Sequence, residues 1–221
     1  MRTAPWLERL PPADLARAFG CAQVLLGEKR FEACGGFSLT DAMRAAIAVQ
    51  AAVPIIGLDD DYYPRLVSIL VYPATFVAET TRQDEDGVMI EGFEDREGET
   101  WEQGSLVLSW EDVERDSRLP EEGYNVVLHE FAHQLDFEHG FTGGSEILRR
   151  EYRRHAEEAD AGENTLLDEY GATDPEEFFA DATECFFLWP SALKEEYAGL
   201  YSELRGIFRQ DPAAWPGCSG K

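Results

Sequence analysis

Lysine is almost missing from this chain. There are three in 221 residues, among 19 basic residues facing 44 acidic ones, for a net charge of −25. Such a chain repels phosphate backbones, which excludes direct nucleic-acid binding as its main business. The acidic excess suits solubility, or a basic partner such as a free amino terminus. Long apolar runs are also lacking. None approaches the roughly 18 residues that would span a bilayer, so no membrane segment is expected. The first residues, Met1 to Pro12, carry charges and prolines where a secretory signal would have an apolar centre. A cytoplasmic protein is the expectation. Cysteine is sparse: Cys21, Cys34, Cys185 and Cys218 lack metal-type spacing and read as free thiols in a reducing compartment. The three methionines, Met1, Met43 and Met89, all lie in the first half, and there are only four histidines. Length and an ordinary 44% hydrophobic content fit one globular domain over residues 1–221.

Two of the four histidines stand four residues apart, in His129-Glu130-Phe131-Ala132-His133. On a helix, positions i and i+4 share a face, so both imidazoles can meet one ion. Zinc is the expected ion, since it accepts neutral imidazole together with a carboxylate. Glu130 is rotated by roughly 100° from His129. That is poor placement for a ligand and good placement for a base that deprotonates a water at the ion. The pattern is the H-E-x-x-H of zinc peptidases. It fixes only three residues and occurs by chance, but the flanking Val126, Val127, Leu128, Phe131 and Ala132 predict a buried helix. There, two histidines and a glutamate need partners.

Around this stretch the period of the apolar residues changes twice. Helices are expected from about Pro11 to Leu26 and from Asp41, capped by Ser38 or Thr40, to about Val53 before Pro54. Residues 28–32 read as a connection. Ser68–Tyr72, Gly87–Phe93 and Ser105–Trp110 read as strands, three in a row, which favours an antiparallel or mixed sheet. After them come a short helix at Asp112–Arg118, the histidine helix at Tyr124–Phe137, helices at Glu146–Asp160 and Asp174–Trp189, and one or two more over Ala192 to about Gln210. The ordered core is expected over about 11–209, with residues 211–221 frayed. The fold class is therefore α+β, mostly helical, with a small sheet.

A catalytic zinc needs a third protein ligand, and three places offer one. His139 would complete H-E-x-x-H-x-x-G-x-x-H, but Asp136 stands where that pattern has its turn-forming glycine, and no methionine follows for the accompanying turn. Asp136 shares a face with His133, yet three converging ligands rarely come from one straight helix. It reads better as a group orienting an imidazole N–H, or as an ordinary polar residue at a helix end. The third place is the phenylalanine-rich helix from Asp174, where Glu177, Asp181 and Glu184 line one face. Glu177 could instead close a capping box with Asp174. Spacing alone does not choose between Glu177 and Glu184.

Glu28-Lys29-Arg30-Phe31, the alanine-rich helix after it, Ser68-Ile69-Leu70-Val71-Tyr72-Pro73, the run Asn125 to Asp136, and Glu177-Phe178-Phe179-Ala180 with Glu184-Cys185-Phe186-Phe187 together resemble the Mlc titration factor A family of bacterial zinc peptidases. The similarity runs from about Pro11 to Arg209. It implies a zincin-like catalytic core similar to that of anthrax lethal factor. It makes Glu177 the third ligand beside His129 and His133, and it makes Tyr170, seven residues before Glu177, a stabiliser of the oxyanion. Asp136 and Glu184 remain as orienting groups. His139 is a departure from the family. The family also implies aminopeptidase-like cleavage of short peptides, and its name implies a rival role, sequestration of a transcriptional repressor of the Mlc type with the zinc site secondary.

Overall fold

The structure is a computed structural model describing residues 4–58, 62–74, 80–83, 89–92 and 104–216, of which 80–83 and 89–92 are described by backbone alone. Nine helices are described: α1 (Pro12–Glu28), α2 (Asp41–Ala52), α3 (Trp110–Arg118), α4 (Val126–His139), the short α5 (Phe141–Gly144), α6 (Glu146–Asp160), α7 (Pro175–Leu188), α8 (Pro190–Glu196) and α9 (Ala198–Phe208). Five strands accompany them: β1 (Arg30–Ala33), β2 (Ser68–Tyr72), β3 (Thr80–Gln83), β4 (Met89–Gly92) and β5 (Ser105–Ser109). The class is α+β, mostly helical with a small sheet, as expected.

The helices form where the sequence supplies both caps and stripes. In α1, Leu15, Ala18, Ala22 and Leu25 recur on one face and pack on α2, which turns the alanines of Ala46–Ala52 inward. Thr40, rather than Ser38, caps α2 by accepting from the Met43 N–H at 3.3 Å.

The sheet departs from expectation in strand sense. β1, β2 and β5 pair side by side and all parallel, Phe31 opposite Ile69 and Ile69 opposite Leu106. Among the described residues, antiparallel pairing is confined to the separate β3–β4 ribbon. Parallel neighbours need long crossovers. α2 lies between β1 and β2, and residues 73–104 lie between β2 and β5. Reading residues 28–32 as a connection overlooked β1, a four-residue edge strand whose only large apolar residue is Phe31. Of the expected strand Gly87–Phe93, residues 89–92 form β4; its two ends, within 84–88 and 93–103, lie outside the described residues.

The ordered core also extends beyond 11–209. Trp6, Leu7 and Leu10 are buried at the front, and Trp215 at the back stacks on Phe187. Tyr201 ties the last segment down, its hydroxyl donating to Asp211 and accepting from the Ala213 N–H. Burying large side chains, at about 1.5–3 kcal/mol each, outweighs the fraying that proline and glycine content suggested. The expected frayed end is thus ordered as far as residue 216; residues 217–221 lie outside the described residues. No helix among the described residues is long and apolar enough to cross a membrane.

Candidate metal centre

α4 begins at Asn125, whose side-chain oxygen accepts the Leu128 N–H at 3.0 Å. The Val126 N–H goes to Asp116 Oδ2 at 3.0 Å, and the Asn125 N–H goes to the Glu184 carboxylate. The first amides of a helix lack intrahelical partners and form its positive pole. Two acidic groups therefore satisfy the start of α4. The Asn125 side-chain nitrogen also donates to Gln50 Oε1 at 2.9 Å, and Gln50 in turn accepts from Trp6 and donates to Ala46 O and Ser117 Oγ. The helix ends at Gly140, whose φ of 67° is the left-handed turn that glycine adopts without strain. Leu128, Phe131, Ala132 and Leu135 are fully buried, which fixes the rotation of the helix.

α7 starts at Asp174, which accepts the Glu177 N–H at 2.8 Å, with Pro175 in the first turn. Phe178, Phe179, Phe186 and Phe187 are fully buried. The helix packs along α4 and turns its acidic stripe toward the histidines. Only the backbone of Glu177 serves the cap. Its carboxylate reaches His129 Nε2 at 3.1 Å and His133 Nε2 at 3.4 Å. The two imidazole Nε2 atoms are 3.1 Å apart, with the rings edge to face. Three donors held by first-row divalent ions at about 2.0–2.1 Å in a tetrahedron stand about 3.3 Å from one another. His129, His133 and Glu177 have that spacing, and among the described residues they form the one such group.

The charges also call for a cation. Burial alone would lower the His129 pKa, but hydrogen bonds donated to Glu177 and Glu184, with Glu130 nearby, hold it well above its usual value. Burial pushes the Glu177 carboxyl up, yet the two imidazoles override it and bring it to about 2. Glu184 sits on the far side of His129, Oε1 to Nδ1 at 2.8 Å. With one proton held at Nδ1 by Glu184, a metal ion would displace the proton at Nε2, the nitrogen that faces Glu177 and His133. The residues present fit a divalent metal ion.

The remaining sequence-derived candidates fall in different places. Glu130 is buried, 8% exposed, beside His129 and outside the group of three. Tyr170 lies on a 3-10 turn, Glu169–Ala172, that packs against α7, and its side chain is 58% exposed. Asp136 does not orient an imidazole through the bonds seen here. Its carboxylate accepts the Thr142 N–H at 2.8 Å and the Thr142 hydroxyl at 2.6 Å, fastening the chain after Gly140. His139 is exposed and stacks on Phe141, away from the three donors. Sequence reasoning assigned nothing to Asp168 or Asp181. The Asp168 N–H donates to Asp181 Oδ2 at 2.9 Å, and Asp168 Oδ2 accepts the Tyr124 hydroxyl. The position of Asp181 on the acidic stripe was the only available signal. An open pocket of about 370 Å³ has Tyr124, Asp168, Glu169, Asp181, Cys185 and Trp189 on its walls and none of the three donors.

Comparison with known proteins identifies the family. An uncharacterized protein of Synechocystis sp. is 34% identical over 222 residues, covering 94% of this chain and 81% of the relative. Mlc titration factor A of Yersinia pestis is 32% identical over 225 residues, covering 95% of this chain and 83% of the relative, and its Yersinia pseudotuberculosis counterpart matches to the same extent. The family model described as glucose-regulated metallo-peptidase M90 matches residues 1–209. Those 209 residues take in every group around the paired imidazoles, and the chain belongs to this metallopeptidase family.

Proposed function

We propose that this chain is a single-domain zinc peptidase, acting in the cytoplasm and cleaving short peptides in an aminopeptidase-like way. The observation that carries this reading is the convergence of His129 and His133 of α4 with Glu177 of α7. Two neutral imidazoles and one carboxylate are the donor set that zinc favours in catalytic sites, where one position stays open. When bound, the ion supplies a Lewis acid that polarises a carbonyl and makes water nucleophilic near neutral pH. Glu130, one residue from a ligand and buried, takes the proton of the attacking water and returns it to the departing amine. Tyr170, on the turn before α7, donates its hydroxyl to the carbonyl oxygen as charge develops there. Glu184 keeps His129 in the ligating tautomer.

Glu130→Gln tests the assignment. Zinc content, read by elemental analysis, stays at the wild-type level, while hydrolysis of short peptide reporters falls by about 10²–10⁴-fold. Hydrolysis surviving in that variant at near wild-type rate refutes the mechanism.

A second reading rests on the similarity to proteins named Mlc titration factor A. In it, the chain also binds a transcriptional repressor of the Mlc type. Capture of purified repressor by the wild type and equally by His129→Ala supports this role and separates it from the metal. A repressor that binds neither form removes it.

A further inference from the structure

Asp168 has every polar atom committed. Its Oδ1 accepts the Tyr170 N–H at 2.8 Å, and its Oδ2 accepts the Tyr124 hydroxyl at 2.5 Å. Its own N–H donates to Asp181 Oδ2 at 2.9 Å, and its carbonyl accepts from His155 Nε2 at 2.8 Å and from the Gly171 N–H at 3.1 Å. A carbonyl only accepts, so His155, fully buried on α6, carries its proton on Nε2 for this contact. The anchors come from three separate parts of the chain: the residue before the α4 cap, α6 and α7. On the far side of Tyr170, a Cβ at Gly171 would stand 2.8 Å from Asp181 Oδ2, so the turn is pressed directly on that carboxylate. The backbone on both sides of Tyr170 is thus referenced to α7, the helix that carries Glu177.

We propose that Asp168 is a positioning residue for the reaction, holding the Glu169–Ala172 turn so that Tyr170 meets the scissile carbonyl, with Asp181 and His155 as its backing. This rests on the oxyanion role assigned to Tyr170 above. An exposed tyrosine on an unclamped turn would sample many placements, and a displacement of about 1 Å costs on the order of 100-fold in rate. A simple cap of a one-turn 3-10 helix needs only the bond that Asp168 Oδ1 accepts from the Tyr170 N–H. It does not need three further anchors from distant segments. A buried histidine spent on one backbone carbonyl supports the same conclusion.

The test is a double-mutant cycle in the zinc-loaded full chain on a short peptide reporter, using Asp168→Ala, Tyr170→Phe and the pair. Asp168→Ala is expected to lower kcat about 10–100-fold with KM within about twofold and zinc content unchanged. In the Tyr170→Phe background the same change costs less than about threefold, because nothing remains to position. Asp168→Asn regains most of the loss, since its amide oxygen still accepts the Tyr170 N–H. In the metal-free protein, amide hydrogen exchange in Asp168→Ala speeds up at residues 169–173 and not along α7. Losses that multiply in the double variant, or exchange rising throughout α7, overturn the proposal by showing a general structural role. A loss in Tyr170→Phe with none in Asp168→Ala overturns it while leaving the tyrosine's role standing. An undiminished Tyr170→Phe enzyme removes that role, and with it the need for positioning.

Discussion

Replacing Glu184 by glutamine tests the arrangement around His129 at its most exposed physical assumption. The carboxylate has two acceptor oxygens and faces two donors, His129 Nδ1 at 2.8 Å and the Asn125 N–H. Glutamine keeps the shape but has one oxygen and one amino group, so one donor loses its acceptor and meets another donor. Leaving a buried donor unpaired costs about 1–3 kcal/mol. If the oxygen stays with Asn125, the ring must accept at Nδ1 and carry its proton on Nε2, the atom turned toward Glu177 and His133. That atom can no longer ligate until the tautomer is reversed. If the oxygen goes to His129, the start of α4 loses its carboxylate.

Either choice weakens metal binding, by about 10–100-fold for groups of this kind, or about 1.4–2.8 kcal/mol at 1.4 kcal/mol per decade. Two measurements read it. Competition against a fluorescent chelator gives the affinity. The rise in unfolding free energy on adding metal shrinks by the same amount at fixed excess metal. Comparing increments with and without metal separates this effect from any loss in the metal-free fold. A Glu184→Gln protein whose metal affinity stays within about threefold of wild type refutes the orienting role.

Two further outcomes follow from the same contacts. Burial, with Glu184 adding to it, raises the Asp181 carboxyl from 3.8 to about 8. The folded state therefore holds a proton there that the unfolded chain releases near pH 4, and this contribution to stability is full below pH 4 and lost as pH rises through about 8. Chemical denaturation of the metal-free protein from pH 5 to 9 should show this decline in the wild type and a shallower one in Asp181→Asn; parallel curves would contradict the assignment. Asp136→Ala removes both bonds to Thr142. It should cost about 1–3 kcal/mol in urea unfolding and leave metal affinity unchanged, and a fall in affinity would restore the orienting role that the sequence suggested.

The parts of this site legible in the sequence are those that repeat or punctuate. The spacing of His129 and His133, the cap and proline before Glu177, and the phenylalanines of α7 each signal a local structure on their own, and each holds in the fold. Strand β1 was not legible because four residues with one large apolar side chain carry no period; it is a strand only because β2 lies beside it. The ends were misjudged because composition suggested fraying, while Trp6 and Trp215 find room in the core. The division of labour between Glu177 and Glu184 was not legible from periodicity for a geometric reason. The two lie on one face, about 10 Å apart along the axis, and both reach the same ring. Glu177 meets Nε2 and Glu184 meets Nδ1. Which nitrogen each takes depends on how α4 and α7 are offset, a property of neither helix alone.

That offset is itself specified by polar contacts more than by the apolar interface. Phenylalanine and leucine surfaces tolerate a small slide, since hydrophobic attraction is not directional. The network at the start of α4 does not. Asn125 must at once receive Glu184 at its N–H, cap Leu128 with its oxygen and donate to Gln50, which is in turn shared with Trp6 and Ser117. Sliding α7 by one residue along α4 would turn its acids by roughly 100° and strand several of these buried groups at about 1–3 kcal/mol each. A satisfied buried network of this kind leaves one register far below its neighbours. The same register brings Glu177 to the paired imidazoles. The contacts that make the fold unique and those that assemble the metal site are therefore the two ends of one carboxylate-bridged helix pair, with Glu184 belonging to both.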